Sequence, residues 1–152
     1  MTAPAHLVFN RVIAASPDEV FDAWTQPQLM RKWLAPGENK VIDARTDVRV
    51  GGEFRIRSTA PDGALHVIDG TYCELSEGKR IVMTWGYSGP VELLCEMETL
   101  LEIDLAAAPN GATAMTVRQS QIVRWDAAEG YREGWPTCFD KLAGAFEAPK
   151  RQ

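Results

Sequence analysis

The side chains able to do chemistry are few and scattered. The chain carries two histidines, His6 and His66, and three cysteines, Cys73, Cys95 and Cys138. None of these has the short pairwise spacing of zinc ligands, so neither a structural nor a catalytic zinc site is expected. No GxSxG elbow occurs, and no serine sits in a recognisable nucleophile context. His66 falls mid-strand, where a histidine satisfied by a neighbour is the plainer reading than an acid or base. Cys138 shares an apolar stripe with no histidine near it in sequence, which reads as a small core residue rather than a nucleophile. The carboxylates Glu92, Glu96, Glu98, Glu102 and Asp104 could pair for acid-base work, but their strict alternation marks a solvated face. Arg45, Arg49, Arg55 and Arg57 could meet an acidic partner; with Asp43 and Asp47 among them, a solvated surface is the simpler account.

The apolar inventory says more. Trp24, Trp33, Trp85, Trp125 and Trp135, with Met30, Met83, Met97 and Met115, are what stands out in it. Aromatic and thioether linings adapt to varied apolar molecules. Some of these side chains fill a core, and as a set they suggest an enclosed space.

The elements that position them follow from periodicity. Residues 7 to 15, LVFNRVIAA, form a first strand. SPDEVFDAWT then opens a helix with Ser16 as cap, Pro17 at the first helical position and Glu19 completing a capping box, its apolar face being Val20, Phe21 and Trp24. A second short helix is expected in QPQLMRKWL, with Leu29, Met30, Trp33 and Leu34 on its apolar side. From residue 41 to about 123 the period changes to two, and six strands separated by turns make an antiparallel meander. The clearest is residues 92 to 105, with Leu93, Cys95, Met97, Thr99, Leu101, Ile103 and Leu105 on its dry face. The tail, from 126 to 146, returns to helical spacing, with Tyr131, Trp135, Cys138, Phe139, Leu142 and Phe146 on one stripe and Gly134 and Pro136 placed to bend it.

Within the meander, DVRVGGEFRIR raises the question of what Gly51 and Gly52 are for. A three-residue loop of Gly51, Gly52 and Glu53 pairs Val50 with Phe54, Val48 with Ile56, and Asp47 with Arg57, so the glycines are expected to make a hairpin corner. A phosphate loop would need a helix N-terminus after them, and another strand follows instead.

Composition bounds the rest. At 152 residues the chain has the size of one domain. Hydrophobic residues make up 45% of it, and no stretch nears eighteen apolar residues, so no membrane span is expected. The net charge is -5 with basic residues dispersed, which argues against nucleic acid as a partner. No secretory leader is visible and the odd cysteine count suggests reduced thiols, so a cytoplasmic location is expected.

The order of strand, two short helices, six strands and long helix, with RVIAASPDEVFDAWTQPQLMRKWLAP, DVRVGGEF, GTYCEL, RIVMTW and EGWPTCFDKLAGAF along it, resembles the START-like, birch-pollen-allergen-like superfamily. The chain is most similar to the bacterial relatives of the activator of the ninety-kilodalton heat-shock protein ATPase. The resemblance implies an α+β helix-grip fold over residues 1 to 152, a curved antiparallel sheet gripping the C-terminal helix around an apolar cavity that opens near the short helices. Superfamily members bind lipids, sterols or polyketide-like aromatics, and some cyclise or hydrolyse them. The eukaryotic co-chaperones carry a further N-terminal domain for which this chain has no room, so direct ATPase activation is not expected. No catalytic set belongs to the family as a whole. The residues expected around the cavity are Trp24, Trp33, Met83, Trp85, Met97, Met115, Trp135 and Phe139, with Tyr72 or Thr84 orienting a polar end. The leading expectation is binding of a small hydrophobic or amphipathic ligand, lipid-like or aromatic, without a cofactor. A cyclase or hydrolase in the same cavity and a chaperone-associated or regulatory interaction module are the alternatives, as monomer or homodimer.

Overall fold

The computed structural model describes residues 5–95 and 97–146. Glu96, one of the alternating carboxylates, lies outside them. In chain order the elements are β1 (Ala5–Ile13), α1 (Pro17–Thr25), α2 (Pro27–Met30), β2 (Lys40–Thr46), β3 (Glu53–Thr59), β4 (Leu65–Ser76), β5 (Arg80–Ser88), β6 (Glu98–Ala108), β7 (Ala112–Ile122) and α3 (Trp125–Ala145). The strands make one 7-stranded antiparallel sheet in the order β1-β7-β6-β5-β4-β3-β2. The sheet curves around α3, and α1 and α2 link its two edges. This is the α+β helix-grip architecture.

Local signals were read correctly where the chemistry is local. The Ser16 hydroxyl accepts from the Glu19 N–H at 3.2 Å, and the Ser16 N–H donates to the Glu19 carboxylate at 2.9 Å. Those two bonds hold the Glu19 carboxyl below its ordinary range. Val20, Phe21 and Trp24 are buried as the helical face requires. The second helix is only one turn long, yet Met30, Trp33 and Leu34 are all buried.

Two expectations are corrected. The strand expected over 92 to 105 begins only at Glu98; Glu92–Leu94 is a 3₁₀ turn. Its backbone closes on itself through Leu94 N–H to Val91 O at 3.0 Å and Cys95 N–H to Glu92 O at 3.0 Å. Beyond the turn the alternation holds: Met97, Thr99, Leu101, Ile103 and Leu105 are buried, while Arg80 gathers Glu74, Glu102 and Asp104 on the opposite face.

The hairpin register is also different. β2 and β3 pair Thr46 with Phe54, Ala44 with Ile56 and Asp43 with Arg57, so residues 47 to 52 form the loop and Val48 and Val50 are exposed. The glycines do more than turn a corner. Gly51 sits at φ +86° and its N–H donates to Tyr72 O at 2.8 Å, while Gly52 O accepts from the Tyr72 N–H at 2.9 Å. A Cβ on Gly52 would lie 2.0 Å from the Asp47 carbonyl oxygen. The pair lets the loop fold back and pin its backbone to β4.

Candidate functional site

Aromatic rings fill most of the space between the sheet and α3. Trp24 packs edge-on to Trp33 with centroids 4.7 Å apart and reaches Trp135 at 5.9 Å. Trp135 stacks on Phe139 at 5.4 Å and meets Trp85 at 5.1 Å. The Trp24 indole N–H points at the Met115 sulfur, 3.4 Å away, and the Trp33 N–H donates to Ala23 O at 3.0 Å. Trp24 and Trp33 therefore bury their bodies and satisfy their one donor.

Beyond this stack a cavity of about 160 Å³ remains. The sheet contributes Ile56 and Ser58 from β3, His66 and Ile68 from β4, and Trp85 and Tyr87 from β5; α3 contributes Gly130, Tyr131, Gly134, Trp135 and Cys138. The rim is built by Val91 and Leu94 on one side and by Leu34, Pro36 and Asn39 on the other. Gly130 and Gly134 stand one turn apart on α3. A Cβ at either would find only ordinary contacts, Leu93 at 3.6 Å and Leu94 at 3.7 Å for Gly130, and Pro36 at 3.5 Å for Gly134. Neither glycine has a positive φ, so no backbone geometry requires them. Each nonetheless costs the helix about 0.5–1 kcal/mol relative to alanine.

A buried polar relay ties the Trp135 indole to the backbone of Trp85. The Trp135 indole N–H donates to the Gln119 side-chain oxygen at 2.9 Å, the Gln119 amide donates to the Thr99 hydroxyl at 2.9 Å, and that hydroxyl donates to Trp85 O at 3.0 Å. Gln119 and Thr99 are fully buried, so the relay works at low dielectric, where each bond is strong and each missing partner costly. The rim is fastened too. The Lys141 amine donates to Ala35 O at 2.5 Å and Asn39 O at 3.2 Å, and the Gly37 N–H donates to the Thr137 hydroxyl at 2.9 Å. Desolvation there draws the Lys141 amine below its ordinary value.

At one end of the cavity the His66 Nδ1 lies 2.7 Å from the Tyr87 hydroxyl, which also accepts from the Val91 N–H at 3.2 Å. Burial pushes the Tyr87 phenol up, so it keeps its proton. Burial likewise pushes Tyr131 up to about 12, partly offset by the Gln119 side chain, and Cys138 up to about 12. Cys138 is thus held as a thiol, a poor nucleophile. Among the described residues no group of three His, Cys, Asp or Glu is placed to hold a metal ion.

Of the residues expected around a cavity, the structure brings Trp85 and Trp135 to this one. It places Trp24, Trp33, Met83, Met97, Met115 and Phe139 in the packed core around it. Tyr72 packs against Phe54 at 5.4 Å, its hydroxyl buried without a partner among the described residues, and Thr84 accepts from the Thr71 N–H at 2.9 Å instead of facing the cavity. Trp125 is exposed. Ser58, His66, Tyr87, Tyr131, Gly130 and Gly134 were not foreseen as lining. The signals in the sequence were Tyr131 on the apolar stripe with Trp135, and two glycines in one helix four residues apart.

A family model described as Activator of Hsp90 ATPase homolog 1-like protein matches residues 14–147. Among solved structures, a protein from Chromobacterium violaceum is 28% identical with a TM-score of 0.81, over 95% of this chain and 98% of that one. A protein from Rhizobium leguminosarum is also 28% identical, with a TM-score of 0.75 over 92% of each chain. The AHSA1 protein from Silicibacter pomeroyi is 19% identical at a TM-score of 0.76 over 93% of this chain and 96% of that one, a likeness of fold alone. No curated protein matches the sequence.

Proposed function

The chain belongs to the family of Activator of Hsp90 ATPase homolog 1-like proteins, and from that premise we propose that it binds a small hydrophobic or amphipathic molecule in the cavity between the sheet and α3. The observation that carries this is the pair Gly130 and Gly134. Alanine would fit at both and would strengthen the helix, so the exposed Gly130 and half-buried Gly134 act against stability and in favour of an open cavity mouth beside Leu93, Leu94 and Pro36. Apolar walls supply the driving force, roughly 25 cal/mol per Å² of ligand surface removed from water before the costs of binding. Trp135, its indole held by Gln119, and Trp85, packed against it, give the ligand an aromatic face. Cys138, the thiol in the wall, is kept protonated by burial, which argues against it as a nucleophile.

The test is the double variant Gly130→Ala, Gly134→Ala. It should gain about 1–2 kcal/mol of stability in urea unfolding. Toluene, titrated against the indole N–H signals in NMR, should bind it at least severalfold more weakly than wild type. A variant that gains stability and still takes toluene as well as wild type contradicts the proposal. A chaperone partner retained equally by both proteins would direct function away from the cavity.

A further inference from the structure

We infer that the ligand is a one-ring aromatic molecule carrying a neutral hydrogen-bond acceptor, its ring against Trp85 and Trp135 and its acceptor on the Nε2–H of His66. This inference rests on the cavity being the ligand site, and deepens that reading. Size sets the first limit. An apolar cavity of about 150 Å³ takes benzene, and the present one encloses about 160 Å³. A sterol, a fatty acyl chain or a fused polyketide exceeds this volume and would have to project from the cavity mouth.

Hydrogen-bond directions set the second. The Val91 N–H donates to one lone pair of the Tyr87 oxygen, and we place the phenol's proton on His66 Nδ1, the arrangement in which the hydroxyl both accepts and donates. In that tautomer Nε2 carries the ring hydrogen, and no described side chain engages it. Ser58 stands directly opposite His66 in the β3–β4 register and lines the same wall, adding a hydroxyl beside it. A ligand acceptor placed there meets two donors from neighbouring strands.

Charge sets the third. No lysine or arginine lines the cavity, and the Lys141 amine outside it donates to the carbonyls of Ala35 and Asn39. A carboxylate would enter the apolar space without a paired cation, which is costly. An aryl ketone or aldehyde suits the site; benzoate does not.

The experiment compares acetophenone with α-methylstyrene, which replaces its carbonyl oxygen by a methylene of nearly the same shape. Transfer from water favours the hydrocarbon in any apolar site, so the readout is the ratio of the two dissociation constants in wild type against His66→Leu. The substitution should lower acetophenone's relative preference about tenfold, the scale of one buried hydrogen bond, without weakening α-methylstyrene. Tyr87→Phe, which releases the tautomer, should give a partial fall and serves if His66→Leu does not fold. A ratio unchanged by both substitutions overturns the acceptor assignment while leaving the cavity reading intact. Binding of 2-acetylnaphthalene as tight as that of acetophenone overturns the one-ring limit. Failure of both one-ring probes to bind wild type overturns the inference together with the cavity reading beneath it.

Discussion

Burial decides the protonation of Cys138, and that choice has a measurable pH signature. The thiol's pKa rises from 9.0 to about 12 because the folded state desolvates the thiolate, with Lys141 opposing the rise. A raised folded-state value means the contribution to stability is whole below the ordinary thiol pKa and is lost as pH climbs toward the folded one. Between pH 7 and about pH 10.5 the wild type should therefore lose about 2 kcal/mol more than Cys138→Ala. Urea unfolding of both proteins at the two pH values checks this; parallel losses would mean the thiol is solvated. Single residues were legible in sequence only where their partners are close along the chain. Ser16 and Glu19 are three apart, and their capping box was visible. His66 was read as a sheet histidine satisfied by a neighbour, but Tyr87 lies 21 residues away and nothing local names it. Gln119 left no trace at all: a polar residue in a strand looks like surface until the Trp135 indole is known to need an acceptor.

At the scale of elements, the hairpin shows why a pattern can be right and a register wrong. The stretch from 43 to 50 reads DARTDVRV, in which an acidic residue and an arginine recur after four positions. Pairing Ile56 with Ala44 or with Val48 puts the same kinds of side chain opposite one another and keeps the same parity, so alternation cannot choose between them. The choice is made outside the hairpin, by the bonds from the 47–52 loop to Tyr72. The two glycines then differ in kind. Gly51→Ala meets open space but a positive φ, a cost of about 1–2 kcal/mol. Gly52→Ala drives its Cβ into the Asp47 carbonyl and must move backbone. Urea unfolding should find Gly52→Ala the more damaging of the two; the reverse order would show that the Asp47 carbonyl is not packed against Gly52. The segment from 92 to 97 was misread for a related reason. Its alternation runs into β6 unbroken, while the 3₁₀ turn is set by Tyr87 holding the Val91 N–H and by the Leu93 and Leu94 side chains meeting α3 at Gly130.

At the scale of the whole molecule, the sheet and α3 enclose a volume, and the sequence says which side chains are available to fill it but not how much they leave over. The five tryptophans, with the methionines, suggested an enclosed space. In the fold, Trp24, Trp33, Trp135 and Phe139 pack on one another and occupy most of the space, so the remainder is small, apolar and bordered by two glycines. No described helix is long and apolar enough to cross a membrane. The central claim is that this remainder is an accessible apolar binding cavity, and crystals pressurised with xenon test it most directly. Wild-type crystals should show one xenon site bounded by Trp85, Trp135 and Ile68, and Gly130→Ala, Gly134→Ala crystals should lose it. Hydrogen-bonded water in that position under the same pressure, with no xenon, would contradict the account.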